Sequence, residues 1–505
     1  MEKGKFFEHP MVKPGKLQLR DYQESILETA RKKNTLCVLP TGLGKTGIAM
    51  LLAIERMRIG GGKVLILAPT KPLVNQHYKA FLDFLNIDEK DIFVLTGEIR
   101  PSERKSIYLD KKIIFATPQT IQNDLRTGKM SFRDFSLLVL DEIHHAIGGY
   151  AYPYIVSKYL EQSSDPRILG LTASPGGTEE KIKEICKNSG IEAVEIRTEE
   201  DIDVSPWVKE KNTEWVSIEL PESFIKIKEV LSEVYREKLR KLRSRGASRL
   251  RTKRDLLELQ GYLAKQARKG NKSAFGGLFL AGQAIKLEHS IGLLETQGIG
   301  VLEKYWKKLR NDTTKAGKAL VNDNRISRAM HMTNELYEMG SKHPKISRLC
   351  SIVDRQIRSK PGSRIIIFAN YRDSVREIYD TLRKIEAASP TMLIGQKEGL
   401  SQKEQIEIIK EFESGIHNCL ITTSIGEEGL HLSSADLAIF YEPVPSEVRN
   451  IQRKGRVGRV KVGKIIILIT RGTRDEAYYW TAHRKEKTMK KTLSKLRDRY
   501  SNNNK

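Results

Sequence analysis

Three observations predict an α/β protein of two parallel-sheet domains with an all-helical insert domain between them. Short apolar runs alternate with helical patterns from residue 34 to 174, and a second series of the same kind starts near residue 363. The stretch between them, roughly Trp207 to Gly340, turns to long helical patterns with few β-branched runs. A chain of 505 residues also exceeds what one core usually holds. The expected division is 1–205 for a first sheet domain, 206–340 for a basic helical insert, 341–480 for a second sheet domain and 481–505 for a polar, basic tail that frays beyond Arg499.

In the first series the strand candidates are Leu36 to Leu39, Val64 to Ala68, Ile92 to Leu95, Ile113 to Ala116, Leu137 to Leu140 and Ile168 to Leu171. Continuous apolar runs separated by helical patterns suit strands covered on both faces, as in a doubly wound parallel sheet. The second series runs Arg364 to Phe368, Met392 to Ile394, Cys419 to Thr422, Leu437 to Tyr441 and Ile465 to Ile469. Within the insert, Leu280, Ala284, Leu287, Ile291 and Leu294 recur at helical spacing on one face, which ordinary helix packing explains.

The formal charge of +25 favours a polyanionic partner, nucleic acid first, because neutralising phosphates supplies sequence-independent affinity. A lysine-rich solvated surface is the alternative. Arg236 to Arg254 concentrates the question, with ten Lys or Arg against one acid, Glu237, and reads either as a solvated face or as a nucleic-acid contact. The four cysteines lie far apart without metal-ligand spacing and suggest a reducing compartment. No apolar signal core or membrane-length run is present, so a cytoplasmic, nucleoid-associated protein without membrane contact is expected.

The most specific chemistry lies in Pro40-Thr41-Gly42-Leu43-Gly44-Lys45-Thr46-Gly47, set between the apolar run Thr35 to Leu39 and a helical pattern from Ile48 to Met57. Backbone N–H groups of such a turn can cradle phosphates at the positive end of the helix, Lys45 adds a point charge, and the Thr46 hydroxyl can ligate magnesium. The same letters hold the glycine spacing of a dinucleotide fingerprint. That reading needs an acidic residue after the next strand, and Val64 to Ala68 ends instead in Pro69-Thr70-Lys71. Leu39 stands where the full phosphate-loop pattern has glycine, but the cradle depends most on Gly42 and Gly44.

Leu137 to Leu140 runs into Asp141-Glu142-Ile143-His144-His145, placing two carboxylates at the C-terminal end of a strand, where open α/β sheets bind ligands. Asp141 can hold magnesium and Glu142 can orient or deprotonate water. The adjacent histidines face opposite ways if extended, so coupling or packing suits them better than metal ligation. Gln452-Arg453-Lys454-Gly455-Arg456-Val457-Gly458-Arg459 in the second domain can bring positive charge to a γ-phosphate, which would make hydrolysis sensitive to interdomain closure.

Taken in chain order, these segments resemble the motifs of superfamily 2 helicases and translocases. Arg20-Asp21-Tyr22-Gln23 is similar to a Q motif, Pro40 to Thr46 to motif I, Ala68 to Leu73 to motif Ia, Thr117-Pro118-Gln119-Thr120 to motif Ib, Asp141 to His144 to a DEAH-like motif II and Thr172-Ala173-Ser174 to motif III. Ile366 to Tyr371 resembles motif IV, Thr422 to Leu430 motif V and Gln452 to Arg459 motif VI. The inserted helices, Lys286 to Gly298 and Phe440 to Ser446 resemble the archaeal Hef helicases, which are related to the Fanconi-anaemia M translocase and more distantly to Dicer and RIG-I-like ATPases.

The resemblance implies two RecA-like domains that use ATP and Mg2+ to unwind or remodel branched DNA, such as stalled forks and Holliday junctions, in repair. It assigns Arg20 and Gln23 to adenine, Thr41, Gly42, Leu43, Gly44, Lys45 and Thr46 to the phosphates, Thr46 and Asp141 to magnesium, Glu142 to water, and Gln452, Arg456 and Arg459 to the transferring phosphate. Backbone contacts to the strand fall to Pro69, Thr70, Lys71, Thr117, Pro118 and Thr423, with Arg243, Arg245, Arg249 and Arg251 in the insert. His431 stands where the family usually has Asp in motif V, which leaves the ribose contact there in question. Many Hef proteins add an XPF-like nuclease. Its acidic Glu-Arg-Lys pattern is not found before Lys505, so this chain is expected to be a helicase without nuclease chemistry, or a piece of a longer protein. Two rivals stay open: a switch-like DNA clamp, against which the intact Lys45, Asp141, Glu142, Arg456 and Arg459 argue, and a duplex-RNA ATPase. Polarity, oligomeric state and any sliding-clamp or repair partner are not legible.

Overall fold

The computed structural model describes residues 6–176, 178–208, 212–247, 250, 252–394, 401–423, 435–443 and 463–502. The first sheet contains β1 (Thr35–Val38), β2 (Lys63–Leu67), β3 (Ile92–Leu95), β4 (Ile113–Ala116), β5 (Phe135–Asp141), β6 (Ile168–Thr172) and β7 (Ala193–Ile196). Its order is β3-β4-β2-β5-β6-β1-β7, and every pairing is parallel. The strands are Val-, Ile- and Leu-rich and buried because helices cover both faces. The middle of helix Lys45–Gly60 is apolar all round, with Ile48 to Ile54 buried without a break, as befits a stretch enclosed by sheet and neighbouring helices.

The second sheet contains β8 (Asn212–Ile218), β9 (Ile365–Phe368), β10 (Pro390–Leu393), β11 (Cys419–Thr422), β12 (Leu437–Phe440) and β13 (Lys464–Thr470), in the order β10-β11-β9-β12-β13-β8, again all parallel. Strand β8 is the first departure from the sequence reading, which places Asn212–Ile218 with the insert. It pairs along its whole length with β13, from Asn212 opposite Lys464 to Ile218 opposite Thr470. The chain therefore enters the second domain's edge before the helices begin, and the insert, from helix Glu222–Arg243 to helix Asn324–Glu338, is an excursion from that domain. Strand β7 likewise extends the first sheet beyond the series read from sequence.

The insert buries the face that Leu280, Ala284, Leu287, Ile291 and Leu294 form on helix Ser273–Thr296. Phe224, Ile227, Leu231 and Val234 of helix Glu222–Arg243 pack with Leu287, Ile291, Leu294 and Trp306 in one cluster. The last element, helix Arg474–Asn502, is the second departure. Instead of a separate tail, Met489, Leu493 and Leu496 pack into the first domain's core, in the cluster that holds Ile182 and Ile185. These three apolar positions follow i, i+4, i+7 spacing, a stripe too narrow to stand out among the surrounding lysines. Among the described residues, no helix is long and apolar enough to cross a membrane.

Candidate nucleotide site and nucleic-acid interface

Because all strands of the first sheet are parallel, their C-terminal ends share one edge. The order β4-β2-β5-β6-β1 sets along that edge, in turn, Thr117-Pro118, Pro69 to Lys71, Asp141-Glu142, Thr172 to Ser174 and Pro40 to Thr46. The phosphate loop and the acidic pair are thus separated by one strand, and Pro69 to Lys71 and Thr117-Pro118 lie beyond the acids.

The loop after β1 turns on two glycines in the left-handed region, Gly42 with φ 89° and Gly44 with φ 81°. Gly44 caps helix Lys45–Gly60, so the first helical N–H groups point out of the loop. Lys45 is buried, and its Nζ donates to the Leu39 carbonyl at 2.9 Å, folded back across the turn. The Leu43 side chain lies in the hydrophobic core, so what this residue offers a phosphate is its backbone. Gln23 Nε2 donates to the carbonyls of Leu43 at 3.2 Å and Gly44 at 3.4 Å, and Gln23 Oε1 accepts from the Arg20 N–H at 3.2 Å. A Cβ on Gly44 would sit 2.3 Å from Gln23 Nε2. Tyr22, part of the Q-like segment but given no role by the sequence reading, donates its hydroxyl to the Leu43 carbonyl at 2.9 Å and accepts from Arg20 Nη1 at 2.7 Å. The Arg20 guanidinium lies 4.5 Å from the centre of the Trp207 ring. Arg20, Tyr22 and Gln23 therefore brace the phosphate loop.

At the end of β5, Asp141 is buried and each oxygen is engaged. Its Oδ2 lies 2.8 Å from His77 Nε2, its Oδ1 accepts from the Glu142 N–H at 3.0 Å, and its carbonyl accepts from the Tyr152 hydroxyl at 2.6 Å. Glu142 has φ 49°, the one non-glycine residue at positive φ among the described residues. Such strain in a residue with a Cβ persists where the surroundings fix it, and it gathers at functional sites. The kink takes the chain from β5 into the short turn Ile143–His145, which packs so closely on β6 that a Cβ at Gly170 would meet Ile143 Cδ1 at 2.2 Å. His144 Nδ1 lies 3.2 Å from both Glu142 Oε2 and Thr172 Oγ1, and Thr172 Oγ1 accepts from the Ser174 N–H at 3.1 Å. The imidazole thus links the acidic turn to the end of β6. His145 stacks on Tyr150, and burial, then the neighbouring His144, pushes its pKa down to about 4.

The donors present suit magnesium. A threonine hydroxyl at Thr46 and the Asp141 carboxylate are hard oxygen ligands, and this ion keeps several waters and takes one or two carboxylates alongside substrate phosphates. Among the described residues, no group of three or more His, Cys, Asp or Glu forms a dedicated cage.

On the other side of the acids, Thr70 and Thr117 cap helices Lys71–Phe84 and Pro118–Arg126, whose N-termini face the shared edge. The Thr70 hydroxyl is buried without a hydrogen-bond partner. Thr117 Oγ1 pairs with Thr120 Oγ1 at 2.9 Å, and Lys71 is tethered to Glu98 at 2.5 Å. In the second domain Thr423 is buried at the end of β11, its carbonyl accepting from Thr422 Oγ1 at 3.2 Å. Buried Glu442, after β12, accepts from the Asn370 N–H at 2.7 Å and from Ser374 Oγ at 3.2 Å, closing the end of β9. Arg249, Arg251, Gln452, Arg456 and Arg459, with His431, lie outside the described residues.

Three family models match: DEAD/DEAH box helicase at 20–182, an ATP-dependent RNA helicase helical bundle at 223–339 and the helicase conserved C-terminal domain at 344–461. The solved helicase domain of Pyrococcus furiosus Hef is 44% identical, with TM-score 0.74, over 92% of this chain and 98% of that one. This chain belongs to the Hef-type superfamily 2 helicases. Among curated relatives, a Methanocaldococcus jannaschii protein named as an ATP-dependent RNA helicase is 42% identical over 97% of this chain and 63% of its own length. The ATP-dependent DNA helicase mph1 of Neurospora crassa is 34% identical over 91% of this chain and 42% of its own length. The helicase described here therefore spans well under the whole of those relatives.

The insert of this helicase carries Arg236, Arg240 and Arg243 exposed at i, i+4, i+7 on helix Glu222–Arg243, with Arg245 exposed just beyond. Glu237 does not neutralise that stripe. It pairs with Lys241 at 2.6 Å and with Arg325 at 2.7 Å, and these bonds hold its carboxyl down at about 2. The segment Lys286 to Gly298, singled out by the family resemblance, forms the joint with the second domain. Arg474 Nη1 pairs with Glu288 at 2.8 Å and Arg474 Nη2 donates to the Glu288 carbonyl at 2.6 Å, while Gly292 leaves room for the guanidinium. Lys228 pairs with Glu295 at 2.8 Å, and the Glu295 carbonyl accepts from His343 Nε2 at 3.0 Å.

Proposed function

We propose that this helicase hydrolyses ATP to unwind or remodel branched DNA, such as stalled forks and Holliday junctions, in DNA repair. The observation that carries the reading is the strand order, which puts the phosphate loop, the acidic turn and two strand-contact motifs on one edge, with His77 joining the motif Ia helix to Asp141. In this reading the loop N–H groups from Thr41 to Thr46 and the Lys45 ammonium hold the phosphates, Lys45 leaving the Leu39 carbonyl to do so, with Gln23 and Arg20 beside the adenine. Magnesium, held by Thr46 and Asp141, supplies charge neutralisation at the phosphates. Glu142 orients the attacking water and takes its proton, and Gln452, Arg456 and Arg459 bring the second domain's charge to the leaving phosphate. Pro69 to Lys71, Thr117-Pro118 and Thr423 track one strand through its backbone, and the insert's arginines, Arg243, Arg245, Arg249 and Arg251, hold the branch.

DNA is favoured over RNA by the similarity to proteins named as DNA helicases. Duplex RNA is the second reading, because one relative and the matching helical-bundle model carry RNA helicase names. Lys45→Ala and Glu142→Gln test the assignment on a forked DNA. Lys45→Ala is expected to abolish turnover and unwinding while fork binding stays within about twofold, and Glu142→Gln to trap a persistent ATP complex. Near-normal hydrolysis by either variant would remove the assigned site.

A further inference from the structure

We infer that the far end of the insert is a stacking platform for unpaired bases, made by Phe275 and Phe279 with Arg245 beside them. This deepens the proposed action on branched DNA and rests on it. Helix Ser273–Thr296 is tied to the second domain near its C-terminus, through the pairs of Glu288 and Glu295 with Arg474. At about 1.5 Å per residue its N-terminus stands roughly 20 to 30 Å from that joint. Helix Glu222–Arg243 starts next to β8 and ends at the same far region, where Arg245 lies so close to Gly276 that a Cβ there would meet its Nη1 at 2.2 Å.

Phe275 and Phe279 are left outside at this end, as are Leu257 and Tyr262 on the neighbouring helix Lys253–Arg268. Phe275 is 59% exposed and Phe279 36%, and at i, i+4 they share one face of the helix. They are not exposed for want of a core. The end of the insert has one, made of Leu242, Leu250, Leu256, Leu280, Ala281 and Ala284. Gly276, between the two rings in sequence, brings the Arg245 guanidinium against the same turn. The adjoining turn between helices adds exposed Arg268, Lys269 and Lys272.

Exposed rings among cations select the occupant. Flat aromatic faces stack on bases of any sequence while the surrounding charges meet the phosphates. In a perfect duplex the bases are stacked on one another and present no face, so the platform has work only at a branch, a gap or a frayed end. A helicase whose strand-contact motifs read backbone alone would gain its preference for branches here.

The double variant Phe275→Ala/Phe279→Ala tests this, because both side chains are exposed and the core beneath is untouched. Binding is measured to a three-way fork with unpaired nucleotides at the branch, carrying 2-aminopurine there, and to a blunt duplex of equal length. The fork affinity should fall on the order of tenfold, with 2-aminopurine quenching lost, while duplex affinity and the salt slope of both stay unchanged. Equal losses on fork and duplex, or no loss on either, would overturn the platform. So would self-association of the wild type that the variant abolishes, which would give the face to a second copy. Arg243→Gln/Arg245→Gln separates this from the wider reading. Each lost phosphate contact should lower the log–log salt slope by about 0.9 on both substrates, and unchanged slopes would count against the insert as a nucleic-acid surface, whatever the phenylalanines do.

Discussion

His77 is the residue that most directly joins the two halves of the site. It lies on the helix that follows Pro69 to Lys71, it is buried, and its Nε2 sits 2.8 Å from Asp141 Oδ2. A movement of that helix when a strand engages its N-terminus would reach the Asp141 carboxylate, the proposed magnesium ligand, through one contact. Groups that orient a metal ligand from behind typically contribute 10- to 100-fold. His77→Ala is therefore expected to lower nucleic-acid-stimulated kcat by about that factor, with basal hydrolysis and the KM for ATP changed less, and His77→Gln should recover part of the loss. ATPase kinetics with and without forked DNA decide it, and equal losses in both conditions would reduce His77 to a packing role. At this scale much was legible. The glycine spacing and the Asp-Glu pair declared the nucleotide chemistry because each residue type there has its own physical requirement. Tyr22 and His77 were not legible, since a tyrosine and a histidine on amphipathic helices look the same whether they face a core or a carboxylate.

The joint between insert and second domain is built from segments whose roles only pairing reveals. Lys345 and Asp475 form a buried ion pair, and beside it His343 is held neutral, its pKa pushed down to about 3 by burial and then by Lys345. The unfolded imidazole titrates near 6.5, so between these values the unfolded chain binds the extra proton and stability falls as pH falls. From about pH 6.5 to pH 5 this residue alone should remove about 2 kcal/mol. His343→Asn, which can still cap helix Pro344–Ser359, should flatten that dependence in denaturant titrations across pH. An unchanged pH slope would contradict the buried neutral imidazole. Strand β8 and the last helix escaped the sequence reading for related reasons. Thr213-Glu214-Trp215-Val216-Ser217 alternates weakly on an edge strand beside long helices, and the Met489, Leu493, Leu496 stripe is three residues wide. Leu493→Ala is expected to cost about 2 to 4 kcal/mol by urea denaturation, as for a buried leucine. A change within about 0.5 kcal/mol would mark a surface tail instead.

Across the whole molecule, the insert is rooted in the second domain through β8 and Arg474, and helix Arg474–Asn502 runs from that root to the first domain, where Ser174 Oγ meets Met489 Sδ at 3.0 Å. A shift at the end of β6 would therefore reach the insert along one helix. The two-domain plan with its helical insert was legible from texture and motif order, because strands buried on both faces leave continuous apolar runs. The path of the chain between those domains was not, since it depends on edge pairing and on one narrow stripe. The charge of +25 says polyanion without saying which. The central claim, an ATP-driven motor for branched DNA, is tested most directly by ATPase stimulation measured in parallel with forked DNA, linear duplex DNA, single-stranded DNA and duplex RNA at one salt concentration. Forked DNA should give the largest stimulation, abolished by Lys45→Ala, and duplex RNA matching or exceeding the fork would contradict the account.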